Sequence, residues 1–402
     1  MSDPDHILVA GAGLGGLTAA LALARKGHRV TVFERSPELA EVGAGIQIAP
    51  NGTHVLSALG LDNDLAAIGF RPQAATLRLG RSGRIVFSNP LGEKARQRYG
   101  ADYYHVHRAD LHRVLSEALA NEPTAALQLG AGVQSFSEEG EHVTVALSDG
   151  ATVEGSALVG ADGIHSAVRA GLFGDDAPRF TGNVAWRLLV PADRLPPGLI
   201  PPDATVWTGE KGHAVTYFVR GGDLVNFVGV IERADWQVES WLEQGDLGEL
   251  RRDFAPWCDT IQTLLGAADP EACFKWALFD RDPMPQWSRG RVTLLGDACH
   301  PMLPFMAQGA CMAMEDAWVL ARHVEQAADI PRAFSAYEKA RRDRTARVQL
   351  AARANAVRFH KGRLPGQVLT YGPMWLAAQL APSLLNRPFD WIYAADVTRE
   401  RA

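Results

Sequence analysis

Gly11-Ala12-Gly13-Leu14-Gly15-Gly16 carries glycines at the spacing G-x-G-x-x-G, at Gly11, Gly13 and Gly16. Glycines so placed permit a tight turn, close approach of backbone N–H groups to a pyrophosphate, and close packing of the helix that follows. Glu34 ends the next apolar segment, where an acid can accept hydrogen bonds from a ribose hydroxyl. The strand before the glycines, the helix after them and this acid together point to a dinucleotide; they leave FAD and NAD both open. Two later turns, Gly160-Ala161-Asp162-Gly163 and Gly296-Asp297-Ala298, each follow an apolar run, where a carboxylate can face a ligand at the carboxyl edge of a sheet. Taken singly, each is equally well a tight turn. His213 and Tyr217 stand four apart in an apolar stretch, so on a strand they share a face. An imidazole exchanges protons near neutral pH, but the spacing alone leaves a structural and a catalytic pair both open.

These residues need elements to hold them. Ile7 to Ala10, a helix to about Lys26 capped by Gly27, and Val30 to Phe33 form a βαβ unit, which predicts a parallel sheet. Thr76 to Leu79 and Arg84 to Phe87 flank Arg81-Ser82-Gly83 as a hairpin. A helix over Ala109 to Ala120 precedes three strands with turns at Glu138-Glu139-Gly140 and Ser148-Asp149-Gly150, then a strand over Ala157 to Val159. The section from Val184 to Glu232 is β-rich, with His213 to Val219 paired to Leu224 to Ile231. Asp246 to Leu265 reads as a helix, Val292 to Leu295 as a buried strand, and Gln308 to Gln326 as a helix. The remainder is predicted helical until breaks at Pro365, Pro373 and Pro382, and the cationic run Lys339 to Arg347 reads as a solvated helix face.

The bulk composition narrows the function. The chain has 402 residues, 47% hydrophobic and 21% charged, ordinary for a globular protein with a large core. A formal net charge of -6 recruits neither nucleic acid nor an anionic membrane. Cys258, Cys273, Cys299 and Cys311 form no C-x-x-C pair, so neither a zinc site nor a redox dithiol is expected. Their scatter fits a reducing cytoplasm. The polar start Met1 to Asp5 and the short apolar run after it do not make a signal peptide. No uninterrupted apolar stretch reaches the roughly 18–20 residues that span a bilayer.

The three motifs together resemble the class A flavoprotein monooxygenases over nearly the whole chain: the glycine fingerprint, then Asp162-Gly163-Ile164-His165-Ser166 with Arg169, then Gly296-Asp297-Ala298-Cys299-His300-Pro301. The segment Gly209 to Gly222 is similar to the substrate strand of the salicylate, 3-hydroxybenzoate and 6-hydroxynicotinate hydroxylases, and Gly296 to Ala317 looks most like the 6-hydroxynicotinate version. Phe305 and Gln47 depart from that version, which carries histidine at both positions.

The resemblance implies an α/β fold: a Rossmann-like FAD-binding domain of the p-hydroxybenzoate hydroxylase kind (1–75, 101–180 and 286–340), a β-sheet substrate domain (76–100 and 181–285) and C-terminal helices (341–402). It implies non-covalent FAD held by Gly11, Gly13, Leu14, Gly15, Gly16, Glu34, Arg35, Gly45, Ile46, Gln47, Arg108, Val133, Asp162, Asp297, Gly309 and Ala310. Asp297 would serve the ribityl chain, Asp162 the pyrophosphate and the nicotinamide donor, and the helix opening at Gly309 the flavin edge. The absence of a second glycine fingerprint makes NADH or NADPH a transient visitor. By the same resemblance, O₂ would be activated as a flavin C4a-hydroperoxide to hydroxylate a small aromatic or N-heteroaromatic acid. His213 would be the general base, Tyr217 would orient the ring, and Gln47, Arg187 and Phe305 would complete the pocket; Arg187 is equally well part of a structural ion pair, and Trp186 and Trp207 are either pocket walls or core residues. His300 is expected to hydrogen-bond behind the Gly296-Asp297 turn. A homodimer is expected from the resemblance, and no metal. The rival readings are an epoxidase, a drug-modifying monooxygenase or a flavin halogenase on the same fold, and a flavin-binding protein without turnover.

Overall fold

The computed structural model describes residues 5–39, 44–236, 238, 243–362, 364–380 and 387–400. Ile7, Leu8, Val9 and Ala10 are all buried, as a strand covered on both faces must be. The strand His6–Ala10 pairs in parallel with Arg29–Phe33 on one side and Ala157–Gly160 on the other. Ala125–Gln128 and Val292–Leu294 extend this sheet in parallel, and Ser288–Arg289 closes one edge antiparallel. The helix Leu14–Arg25 connects the first two strands and buries its Ala/Leu run. It ends in a Schellman turn: Gly27 takes φ +89°, its N–H reaches Ala24 O, and His28 N–H reaches Leu23 O. The meander Val133–Glu139, His142–Leu147 and Thr152–Gly155 forms a separate three-stranded sheet before the chain returns to Ala157–Gly160.

A second, seven-stranded sheet is mostly antiparallel and carries strands Phe274–Asp280, Arg179–Pro191, Leu224–Glu232, Gly212–Val219, Ala204–Gly209, Ala74–Leu79 and Ile85–Pro90 in that spatial order. Alternation of side chains gives it two faces. One buries Trp186, Leu188, Trp207, Ala214 and Phe227 against the helices Leu247–Asp253 and Asp259–Gly266. The other packs Ala185, Val230, Trp276 and Leu278 against Leu303, Phe305 and Ala352.

Three expectations change, and the open choice for the two tryptophans is settled. Asp246 to Leu265 is two helices, not one: Cys258 is extended at φ -62°, ψ 161° and caps the second. Pro373 does not break the C-terminal segment but lies inside the helix Leu364–Leu380; the break expected at Pro365 does occur, since the preceding helix ends at Phe359 and Pro365 sits in the first turn of the next, where a missing N–H costs little. Pro382 falls outside the described residues. The cationic run is not wholly solvated, because Arg341 in the helix Ile330–Phe359 is only 1% exposed. Trp186 and Trp207 are core residues on the sheet face away from His213; their indole N–H groups donate to Asp253 (2.9 Å) and Thr216 (2.9 Å). Among the described residues, no helix is long and apolar enough to cross a membrane.

Candidate active site

The glycine turn divides its glycines by task. Gly11 takes φ +97°, and a Cβ there would meet Ala161 O at 2.5 Å. A Cβ on Gly16 would lie 2.0 Å from Gly11 O, so that glycine lets the helix sit on the turn. Gly15 packs in the same way on Leu295 and Ala313. A Cβ on Gly13 would meet nothing within 4 Å, which leaves open space at the N-terminus of Leu14–Arg25. Unpaired N–H groups and the positive end of the helix dipole there suit a pyrophosphate.

Glu34 closes the turn from the next strand. Its carboxylate accepts from Ala12 N–H (2.8 Å) and Ser36 N–H (3.0 Å). Ala131 N–H donates to Glu34 O, and Gly132 lies against Arg35, which brings Val133 to the same edge. The ring of His112 reaches Ala12 O at 2.7 Å, and burial lowers its pKa. His112 was missed in the sequence, although it stands one helical turn beyond Arg108, a spacing that shares a face.

The two acidic turns differ. Asp162 abuts Gly11, but its carboxylate is engaged within its own turn, accepting from Ser166 Oγ (2.5 Å) and Val168 N–H (3.2 Å). Asp297 is exposed to the cleft while Gly296 and Ala298 beside it are buried. Protein surrounds its carboxyl closely enough that burial raises its pKa, opposed by His300 and Arg108. Arg108 in turn is lowered by burial and held up by Asp297, and its backbone N–H anchors Ala44 O at 3.0 Å. A buried ionic network lies behind this turn. Asp316 accepts from His300, from Gly296 N–H (3.3 Å) and from Arg341 (2.7 Å); Glu315 accepts from Arg341 (2.6 Å), Arg344 (2.8 Å) and Asn51 (2.6 Å). Burial alone would raise both carboxyls, yet their cationic partners hold both below the usual range. His300 thus lies behind the turn as expected, and Gly15, Gly296 and the helix Gly309–Gln326 meet at Ala313.

The strand Gly45–Ile48 links this cleft to the second sheet. Gly45 N–H donates to Asn226 Oδ1 (2.9 Å), and a Cβ on Gly45 would lie 2.5 Å from the Tyr217 ring. Only glycine lets the strand approach so closely. Gln47 pairs in register with His105, and its carboxamide oxygen accepts from Tyr103 OH at 2.6 Å. Gly43, next to this segment, lies outside the described residues.

His213 and Tyr217 do share a face. The His213 ring meets Phe305 edge-on at 4.8 Å, and the Tyr217 ring lies 4.6 Å from His105. Burial drives the pKa of His213 well below its ordinary value, with further lowering from His360, so the imidazole is neutral at neutral pH. His105 falls to about 3 by burial. Register puts Arg187 on the same face: it pairs with Val228, which pairs with Val215, midway between His213 and Tyr217. Two strand spacings, about 10 Å, separate Arg187 from that strand. Arg187 lies over the rings of Phe274 (4.7 Å) and Trp276 (5.7 Å), and burial with repulsion from Arg108 brings its pKa to about 10. The structure therefore gathers His213, Tyr217, Arg187 and Phe305 on one side, beside the strand that holds Gln47. His105, Asn226 and His360 join them and carried no signal in the sequence.

The FAD binding domain family matches residues 5–352. A 3-amino-4-hydroxybenzoate 2-monooxygenase of Streptomyces platensis is 41% identical over 98% of this chain and 96% of its own length. A 6-hydroxynicotinate 3-monooxygenase of Pseudomonas fluorescens is 38% identical over 88% of this chain and 92% of its own. Among solved structures, Klebsiella pneumoniae HpxO complexed with FAD and uric acid superposes with a TM-score of 0.85 at 30% identity, covering 98% of this chain and 97% of that one. The glycine turn that only a close-packed helix could accept, and the Asp297 carboxylate in the cleft beside Arg108, fit the dinucleotide of that family. The chain belongs to the FAD binding domain family, among the class A flavoprotein monooxygenases.

Proposed function

We propose that the protein is an FAD-dependent monooxygenase that consumes NADH or NADPH and O₂ to hydroxylate a small aromatic or N-heteroaromatic carboxylic acid bearing a ring hydroxyl. The reading rests on one observation: a neutral buried imidazole, a phenol and a buried guanidinium share one sheet face beside the Gly45–Ile48 strand. Relatives named for 3-amino-4-hydroxybenzoate and 6-hydroxynicotinate support the substrate class.

Bound FAD supplies the oxygen-transfer chemistry. The chain supplies its seat. Gly11, Gly13, Leu14, Gly15 and Gly16 would hold the pyrophosphate, with Asp162 alongside; Glu34, Arg35 and Val133 would border the ribose; Asp297 and Arg108 would meet the ribityl region. Gly45, Ile46 and Gln47, with the helix opening at Gly309 and Ala310, would hold the ring system. In the pocket, Arg187 pairs with the substrate carboxylate as a planar, two-pronged donor. His213 removes the proton of the ring hydroxyl and so makes the ring a stronger nucleophile. Tyr217 orients the ring over Val215 and Val228. Phe305 and Gln47 line the remaining edge, one apolar and one neutral polar.

The two sheets then divide the work: residues 1–75, 101–180 and 286–340 bind the cofactor, 76–100 and 181–285 the substrate, and 341–402 buttress both. Four free cysteines suit a cytoplasmic location. A homodimer is supported by a row of exposed apolar side chains on Leu364–Leu380. The direct test is a panel of hydroxybenzoates and hydroxypyridine carboxylates, assayed for stimulated NAD(P)H oxidation and for hydroxylated product. At least one acid is expected to give product in step with NAD(P)H consumed; a panel with no product from any member overturns the reading.

A further inference from the structure

His213 is not the end of a chain of polar atoms. Its Nδ1 lies 2.9 Å from Nε2 of His360, and Nδ1 of His360 lies 2.8 Å from Oε1 of Glu232. His360 caps the long helix Ile330–Phe359, and its backbone carbonyl accepts from Lys211 N–H at 3.4 Å, so the helix end is pinned to the turn that precedes His213. Glu232 ends the strand Leu224–Glu232, next to the one that carries His213. The three groups run from the buried interior to the surface: the side chain of His360 is 4% exposed and that of Glu232 is 48% exposed.

With both rings neutral, as burial favours, the hydrogen-bond pattern admits one consistent set of tautomers. Glu232, as a carboxylate, can only accept, so His360 carries its proton on Nδ1. Nε2 of His360 is then an acceptor, so His213 also carries its proton on Nδ1. That leaves a lone pair on Nε2 of His213, which has no protein partner among the described residues. A neutral His213 with a free Nε2 is the form a general base needs. Burial lowers the pKa of both histidines, most strongly that of His213, and Glu232 opposes the shift at His360.

We propose that His360 and Glu232 form a proton relay that carries the substrate's hydroxyl proton from His213 to solvent. The proposal rests on the hydroxylase reading above. The step conserves charge and needs no co-reactant. The substrate O–H bond breaks and an N–H bond forms at Nε2 of His213. The proton on Nδ1 of His213 moves to Nε2 of His360, and the proton on Nδ1 of His360 moves to the Glu232 carboxylate. Glu232 then releases that proton to water. Neither ring holds a net charge once the transfer is complete, which avoids stranding an imidazolium in a buried site. Return transfer along the same groups, when the product oxygen regains a proton, restores both tautomers. His360 is a positioning residue that acts through His213 and does not touch substrate.

The test uses the FAD-loaded enzyme mixed with an acid that the wild type hydroxylates. Proton release is followed by stopped flow with a pH indicator in weak buffer, and product is measured against NAD(P)H consumed. H360Q and E232Q are expected to keep FAD and to bind the acid normally. Both should release the proton at least about tenfold more slowly and yield less product per NAD(P)H. H360A should recover proton release when free imidazole is added, which a purely structural loss would not do. Wild-type proton release in H360Q overturns the relay and leaves the hydroxylase reading intact. A wild type that hydroxylates no acid overturns that reading, and the relay falls with it.

Discussion

His213 illustrates how burial selects a protonation state. A free histidine is a mixture of forms near neutral pH, whereas His213 is 1% exposed, enclosed by Phe305, Phe359 and His360, and neutral. Its folded pKa lies below its unfolded value of 6.5. Two consequences follow with definite sign. As a base it stays competent as pH falls through 6.5, so the acid limb of coupled hydroxylation is expected below that value; a limb centred at or above 6.5 would remove His213 as the titrating base. For stability, the unfolded chain takes up a proton below 6.5 that the folded chain refuses, so this group's contribution declines as pH falls. His213→Ala is expected to retain FAD and lose product formation by a factor of about 10² or more, while NAD(P)H oxidation persists without coupling. Product at the wild-type rate would assign the proton transfer to another group.

At the scale of elements, the glycine turn separates a fold requirement from a ligand requirement. Gly16→Ala drives a Cβ into Gly11 O at 2.0 Å, a backbone atom that cannot step aside. Overpacking of this kind costs about 1–3 kcal/mol and occasionally more. Gly13→Ala meets no protein atom within 4 Å and leaves the helix cap in an ordinary extended conformation. The apoprotein melting temperature is therefore expected to fall for Gly16→Ala and to hold for Gly13→Ala, while FAD titration shows weakened binding in both. Equal melting temperatures would deny Gly16 its packing role. This turn was legible in the sequence because strand, glycines, helix and Glu34 all lie within one local unit. The hairpins, the meander and the shared face of His213 and Tyr217 were legible for the same reason, since alternation and turn residues act at short range. Arg341 was not. Its partners Glu315 and Asp316 stand on another helix, and nothing in Lys339 to Arg347 distinguishes a cation that turns inward from its solvated neighbours. His360 was hidden likewise, 147 residues from His213. The two tryptophans were ambiguous because an aromatic residue serves a core and a pocket equally well until the sheet's faces are assigned.

At the scale of the whole molecule, the surface is not evenly polar. On the helix Leu364–Leu380, Leu369 is 78% exposed, Leu380 75%, Val368 62%, and Trp375 and Leu376 51% each. Val357 and Leu350 on the preceding helix are exposed as well. Single exposed apolar side chains need no explanation, but several on one helix and its neighbour mark a contact surface. His213, Tyr217 and Arg187 stand on strands of the seven-stranded sheet and none of them on this helix, so covering it leaves the site's residues in place. The proposed occupant is a second copy of the chain, and a net charge of only -6 opposes pairing weakly. Sedimentation is expected to give a dimer for the wild-type protein. Trp375→Glu combined with Leu369→Glu places two carboxylates on the contact and is expected to yield a monomer that still binds FAD, since neither side chain belongs to the cofactor cleft. A wild-type monomer, or a doubly substituted protein that remains dimeric, would show that this helix does not join two chains.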